Sequence, residues 1–213
     1  MRISAKQLLA HRGCWTTQSG EKLFEKNSES ALLKAAELNF GLETDLRDNL
    51  GKIVISHDPP TQELEPADLE FISRFQGPVA LNVKSDGLAG WLSKNDFVSA
   101  HKDNLFFFDM SVPETIQYRR SGLPIARRVS EYEPYSDSPS SWIWLDCFES
   151  DWYLSRMDEL REAQPTARIC IVSPELHKRP IERTWQELAS RLEDDPNVLL
   201  CTDFPERFLD EWS

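Results

Sequence analysis

Short apolar runs recur along the chain, each leading into polar or charged residues: LLAHRG at 8–13, GLETDLR at 41–47, KIVISHD at 52–58 and VALNVK at 79–84. The series continues with LFFFDMS at 105–111, PIARR at 124–128, WIWLDCF at 142–148, RICIVS at 168–173 and VLLCTDF at 198–204. Runs of this length and composition predict strands. Between most of them the apolar residues fall at helical spacing, as with Ala31, Leu32, Ala35 and Leu38 behind a cap at Asn27 or Ser28. The stretches 66–75, 87–94, 112–121, 151–163 and 180–193 read as further helical segments.

Strands alternating with helices predict βα units around a parallel sheet. One pair breaks the rule: only Asp48 to Gly51 separates the second run from the third, too few residues for a parallel crossover. Those two runs therefore form an antiparallel hairpin through Asp-Asn-Leu-Gly. Setting the third run aside as an excursion leaves eight strands, the number of a (β/α)8 barrel, here a single domain over 1–213. The connection 129–141, rich in Ser, Pro and acidic residues, shows no clear helix and makes the barrel irregular. A doubly wound open sheet is the alternative, because a strand count does not establish closure.

Composition narrows the partners. The formal charge of −12, from 24 Lys and Arg against 36 Asp and Glu, repels a phosphate backbone and argues against nucleic acid. No run reaches the roughly 18 apolar residues of a membrane span, and Met1 to Leu9 has no signal-peptide pattern. Cys147, Cys170 and Cys201 sit inside apolar runs and no CxxC pair occurs, which points to a reducing cytoplasm rather than a disulfide framework or a zinc site. Cys14 follows a polar His-Arg-Gly cluster, where a lone thiol reads as incidental.

Residues two apart on a strand share a face, so Glu43 and Asp45 point together while Leu42, Thr44 and Leu46 point away. The same parity places Asn82 and Lys84 on one face of the next barrel strand. Asp109, Asp146 and Asp203 each end a strand, at the edge where an α/β fold carries its site, although Asp146 and Asp203 equally suit helix caps. His11 ends the first strand, and His57 ends the hairpin run before Asp58-Pro59-Pro60. Two histidines at one mouth can work as general acid and base. A hard cation between two carboxylates, with Arg12 and Lys84 holding anionic oxygens, suits displacement at a phosphodiester. The segment Ser173-Pro174-Glu175-Leu176-His177 is either a lining of the mouth or a surface turn.

In order and spacing, these residues resemble the glycerophosphodiester phosphodiesterase family, within the phospholipase C-like barrel phosphodiesterases. The matching pieces are His11-Arg12-Gly13, Asn27-Ser28, Phe40 to Asp45 and Gly51 to Asp58, with weaker matches at Asn82-Val83-Lys84 and Thr202 to Pro205. The resemblance implies a (β/α)8 barrel with His11 and His57 as catalytic acid and base. It further implies a divalent metal, Mg²⁺ or Ca²⁺, on Glu43 and Asp45, and phosphate on Arg12 and Lys84. Two departures stand out. Lys26-Asn27 replaces the family's Glu-Asn, and the third metal ligand, usually glutamate, falls on Asn82. An amide oxygen still ligates such ions, with less charge.

The expected function is a metal-dependent phosphodiesterase acting on a small-molecule glycerophosphodiester-like or sugar-linked substrate. A barrel that binds phosphoryl ligands without turnover is one alternative. A metal-independent lyase is another, in which Arg127 or Arg128 replaces the metal.

Overall fold

A computed structural model describes residues 2–133 and 140–212. All nine runs form strands: β1 (Leu8–His11), β2 (Gly41–Asn49), β3 (Lys52–Ile55), β4 (Val79–Val83), β5 (Leu105–Phe108), β6 (Ala126–Val129), β7 (Trp142–Leu145), β8 (Arg168–Val172) and β9 (Val198–Thr202). The helices are α1 (Glu29–Glu37), α2 (Ala89–Leu92), α3 (Asp96–Ala100), α4 (Val112–Arg120), α5 (Met157–Ala163), α6 (Glu182–Asp194) and α7 (Pro205–Trp212). Short α3 and the closing α7 have no counterpart among the expected helical segments, and 66–75 folds as a 3-10 helix over Leu69–Arg74. Within the 129–141 connection, residues 134–139 lie outside the described residues.

Eight parallel strands run in the order β5-β4-β2-β1-β9-β8-β7-β6, and β1 pairs with β9 as barrel closure requires. The two ends of this path meet through a parallel bridge between Phe107 and Ile125, with the Phe107 N–H donating to Pro124 O at 2.9 Å. Pro124 has no N–H to return, so the seam is thinner than a full ladder. The barrel is thus nearly closed, and the open-sheet alternative falls.

Strand β3 pairs only with β2, antiparallel, as the excursion. Its turn is tighter than the sequence suggested: Asp48 and Asn49 remain in β2, and Leu50 and Gly51 alone turn the chain at φ +55° and +81°. Positive φ at both positions is what a two-residue hairpin needs.

Strand parity sorts the core into two layers. Leu42, Leu46, Leu81, Phe107, Ile143 and Ile171 face outward into the main core shared with the helices. Inside the barrel, Phe106 packs on Trp142 at 4.5 Å and Phe108 on Trp144 at 4.0 Å, opposite the small Ala80, Cys170 and Cys201. Large residues facing small ones fill the interior, so it is a packed floor rather than a pore. Above this floor the inward positions turn polar, which places the site. Among the described residues, no helix is long and apolar enough to cross a membrane.

Candidate active site

The first strand delivers His11 to the mouth, and the chain then turns sharply, with Arg12 at φ +59° and Gly13 at φ +85°. A Cβ on Gly13 would lie 2.5 Å from the Ala31 carbonyl carbon, so only glycine lets this turn pack against α1. The turn carries the Arg12 N–H to Glu43 O at 2.8 Å and to the Glu43 carboxylate at 3.2 Å. It also sets Arg12 Nε 3.0 Å from Asp45 Oδ2, as an ion pair rather than an aligned hydrogen bond.

Glu43 and Asp45 point into the barrel as expected and are 1% and 0% exposed. Burial, then the neighbouring Asp45, pushes the Glu43 carboxyl above its ordinary range; Arg12 and Lys84 act the other way. Lys84 Nζ lies 3.5 Å from Asp45 and 3.7 Å from Asp109. Asn27 proves more than a helix start. Ser28 caps α1, while Asn27, at φ +63°, donates to Asp45 Oδ2 and accepts from the Thr44 hydroxyl, both at 2.8 Å. Its amide fixes the orientation of the Asp45 carboxylate.

The raised carboxyl of Glu43 carries a stability signature. The folded protein holds a proton there over a pH range, starting near the ordinary value of 4.5, in which the unfolded chain has released it. Stability present below that value is therefore lost as pH climbs through the raised one. With metal removed by chelator, Glu43→Gln should raise Tm relative to wild type by an amount that grows from pH 4.5 upward. Thermal melts across pH check this, and a pH-independent difference would assign Glu43 an ordinary titration.

His11 is held by Asp203, which lies 2.6 Å from Nδ1 and also accepts from Trp15 Nε1 at 3.3 Å and Lys26 Nζ at 3.2 Å. Burial disfavours the charge on Asp203, but the hydrogen bond from His11 and the nearby Lys26 hold its carboxyl below the usual range. Burial likewise lowers the His11 pKa, against the pull of Asp203. The neutral ring therefore keeps its proton on Nδ1, facing the carboxylate, and its Nε2, 3.8 Å from Glu43, is free to accept. Neither Asp203 nor Asp146 caps a helix. Asp146 accepts from the Cys147 N–H and meets His177 at 2.6 Å, so the 173–177 segment lines the mouth.

His57 stands apart from this packed network. The hairpin lays the backbone around His57 along β2: Ser56 N–H donates to Asp45 O at 3.2 Å, and Arg47 donates to His57 O at 2.8 Å. Its ring is 43% exposed and, among the described residues, pairs with the exposed Asp58. Cys14 is buried, and burial pushes its thiol up to about 12, which removes it as a nucleophile. Arg128 lies inside the barrel on β6 and is committed to Asp109 at 2.7 Å and to Glu133.

Among the described residues, no group of three or more His, Cys, Asp or Glu side chains is arranged to hold a metal. The oxygen set at hand is Glu43, Asp45 and the amide of Asn82. Asp45 and Asn82 are direct register partners across β2 and β4, and Oδ1 of each is buried without a hydrogen-bond partner among the described residues. The unpartnered Asn82 Oδ1 beside two buried carboxylates fits a hard cation, although Asp45 Oδ1 also faces Lys84 Nζ at 3.5 Å.

Lys26, Trp15 and Asn27 escaped sequence reasoning as site residues because their role depends on a loop folding back over the mouth. Among them, only the Lys26-Asn27 departure gave a signal.

No family model matches the sequence, and no curated protein matches it either. Solved structures do. A glycerophosphodiester phosphodiesterase from Agrobacterium tumefaciens str. C58 superposes with a TM-score of 0.68 at 14% identity, covering 99% of this chain and 98% of that one. Another from Parabacteroides distasonis ATCC 8503 gives 0.65 at 13%, covering 96% and 95%. The chain therefore has, over essentially its full length, the barrel fold of the glycerophosphodiester phosphodiesterases.

Proposed function

We propose that this protein is a phosphoric diester hydrolase of the glycerophosphodiester phosphodiesterase type, acting on a small-molecule diester. One observation carries the reading: His11, backed by a buried carboxylate, shares a barrel mouth with the paired carboxylates Glu43 and Asp45 and the cations Arg12 and Lys84. The shared fold of solved phosphodiesterases supports it.

In this reading Arg12 and Lys84 donate to the nonbridging phosphoryl oxygens and orient the phosphorus over the mouth. His11 Nε2 takes the proton from the attacking hydroxyl or water, and Asp203 stabilises the imidazolium that results. His57, exposed on the hairpin rim, donates a proton to the departing alcohol oxygen. Glu43, Asp45 and Asn82 would hold a divalent ion, Mg²⁺ or Ca²⁺, which when bound supplies charge neutralisation at the phosphoryl oxygens. The four unpaired, buried cysteines agree with work in a reducing cytoplasm.

A panel of phosphodiesters assayed with Mg²⁺, Ca²⁺, Mn²⁺ and EDTA tests the reading. Hydrolysis lost to EDTA is expected. Cyclic phosphate product insensitive to EDTA would instead indicate a lyase, and phosphate-ester binding without turnover would indicate a binding barrel.

A further inference from the structure

The barrel has a second end, where its strands begin, and a cavity of about 650 Å³ lies there. Each segment that lines it runs into a strand: 102–103 into β5, 122–125 into β6, 140–142 into β7 and 166–168 into β8. The cavity is therefore at the opposite end of the barrel from the mouth. It also adjoins the thin seam between β5 and β6, where the Phe107 N–H meets Pro124 O.

Among the described residues three cations line this cavity, Lys102, Arg119 and Arg168, against one acid, the exposed Asp103. A local surplus of positive charge runs against a chain whose net charge is −12. None of the three cations is in an ion pair among the described residues, whereas Arg161, at the same end of the barrel, pairs with Asp195 at 2.6 Å. Arg168 opens β8 in step with the inward Cys170, and its guanidinium lies over Trp142, 4.2 Å from the ring centroid. Trp142 in turn packs on Phe106 at 4.5 Å, so the platform under the guanidinium belongs to the packed floor. Stacking uses the face of a guanidinium and leaves the N–H donors on its edges. Burial lowers the basicity of Arg168, and no carboxylate of the described residues is among the groups that act on it. A half-buried cation is held in place here without an anion.

We propose that this cavity binds a small molecule carrying a phosphate group, with Arg168 as its central contact. The site is separate from the reaction proposed above and stands without it. A phosphomonoester carries close to two negative charges at neutral pH, which matches three cations set against one acid. Its oxygens suit a forked guanidinium with a second guanidinium and an ammonium around it. Ser141 and Thr166, exposed on the rim, add neutral hydroxyl donors. The C-terminal end of α4, which brings in Arg119, carries roughly half a negative charge; this reduces the attraction without reversing it. A cavity of this volume also has room for the alcohol part of the ester.

Titration calorimetry with inorganic phosphate near pH 8 tests the proposal, in a Lys84→Ala background that weakens binding at the mouth. Phosphate should still bind there. Arg168→Gln should weaken it about 10-fold, and Lys102→Ala or Arg119→Ala about 3-fold each, because the stacked guanidinium needs no further ordering. Succinate, a dianion built from carboxylates, should bind more weakly than phosphate. Since Arg168→Gln removes a side chain packed on the floor, the double variant Lys102→Ala/Arg119→Ala, which leaves the core intact, should lose about 10-fold whether or not Arg168→Gln folds. No phosphate binding in the Lys84→Ala protein overturns the proposal, as does binding that the double variant leaves unchanged. Succinate binding as tightly as phosphate overturns the phosphate assignment. Sedimentation with phosphatidic acid vesicles by a protein that ignores inorganic phosphate would make this end a membrane surface and overturn the small-molecule site.

Discussion

Replacing His11 with alanine is expected to slow hydrolysis by about 10² to 10⁴-fold while leaving the fold intact, the usual weight of a positioned acid or base. The ring is anchored on one edge by Asp203 at 2.6 Å and presents the other to the mouth, so its removal deletes the acceptor without opening the aromatic floor below. Asp203→Asn should lose a comparable factor, because an amide that donates to Nδ1 moves the ring proton to the working nitrogen. His57→Ala should also fall within that range. Because the two histidines act on one reaction, the double variant should be far less impaired than the product of the two losses. Rates near wild type for both single variants on a verified substrate would end the acid/base assignment.

Metal affinity should follow the number of charged ligands around the Asp45–Asn82 register pair. Two carboxylates and an amide stand where the resembling family carries three carboxylates, and hard cations respond to ligand charge as well as geometry. Two built-in cations, Arg12 at 3.0 Å and Lys84 at 3.5 Å from Asp45, further offset the negative charge. Wild type should therefore bind Mg²⁺ or Ca²⁺ weakly. Asn82→Glu should bind more tightly, on the order of the 10 to 100-fold by which even outer-shell changes alter metal sites. Asp45→Asn should bind more weakly than wild type. Titration calorimetry reads this order directly; equal binding by all three would place the ion elsewhere, and no binding by any would favour the binding-barrel or lyase readings.

The sequence by itself determined the strands, their number and the direction their side chains face. Strands β5 and β7 are apolar on both faces, but polar residues at fixed parity on β2 and β4 marked one shared face, and that local rule predicted Glu43, Asp45, Asn82 and Lys84 together. It also predicted the hairpin, because four residues cannot make a parallel crossover. The helix at 205–212 was missed although Phe208, Leu209 and Trp212 fall at helical spacing behind Pro205.

Tertiary structure alone decided the contacts between residues far apart in the chain. His11 and Asp203 are neighbours only because β1 pairs with β9 across the barrel, and Asp146 and His177 only because β7 pairs with β8. Whether a strand-end aspartate caps the next helix or anchors a histidine depends on which side chain arrives from another strand. That choice is made by long-range packing, while the pattern of apolar and polar positions records only burial.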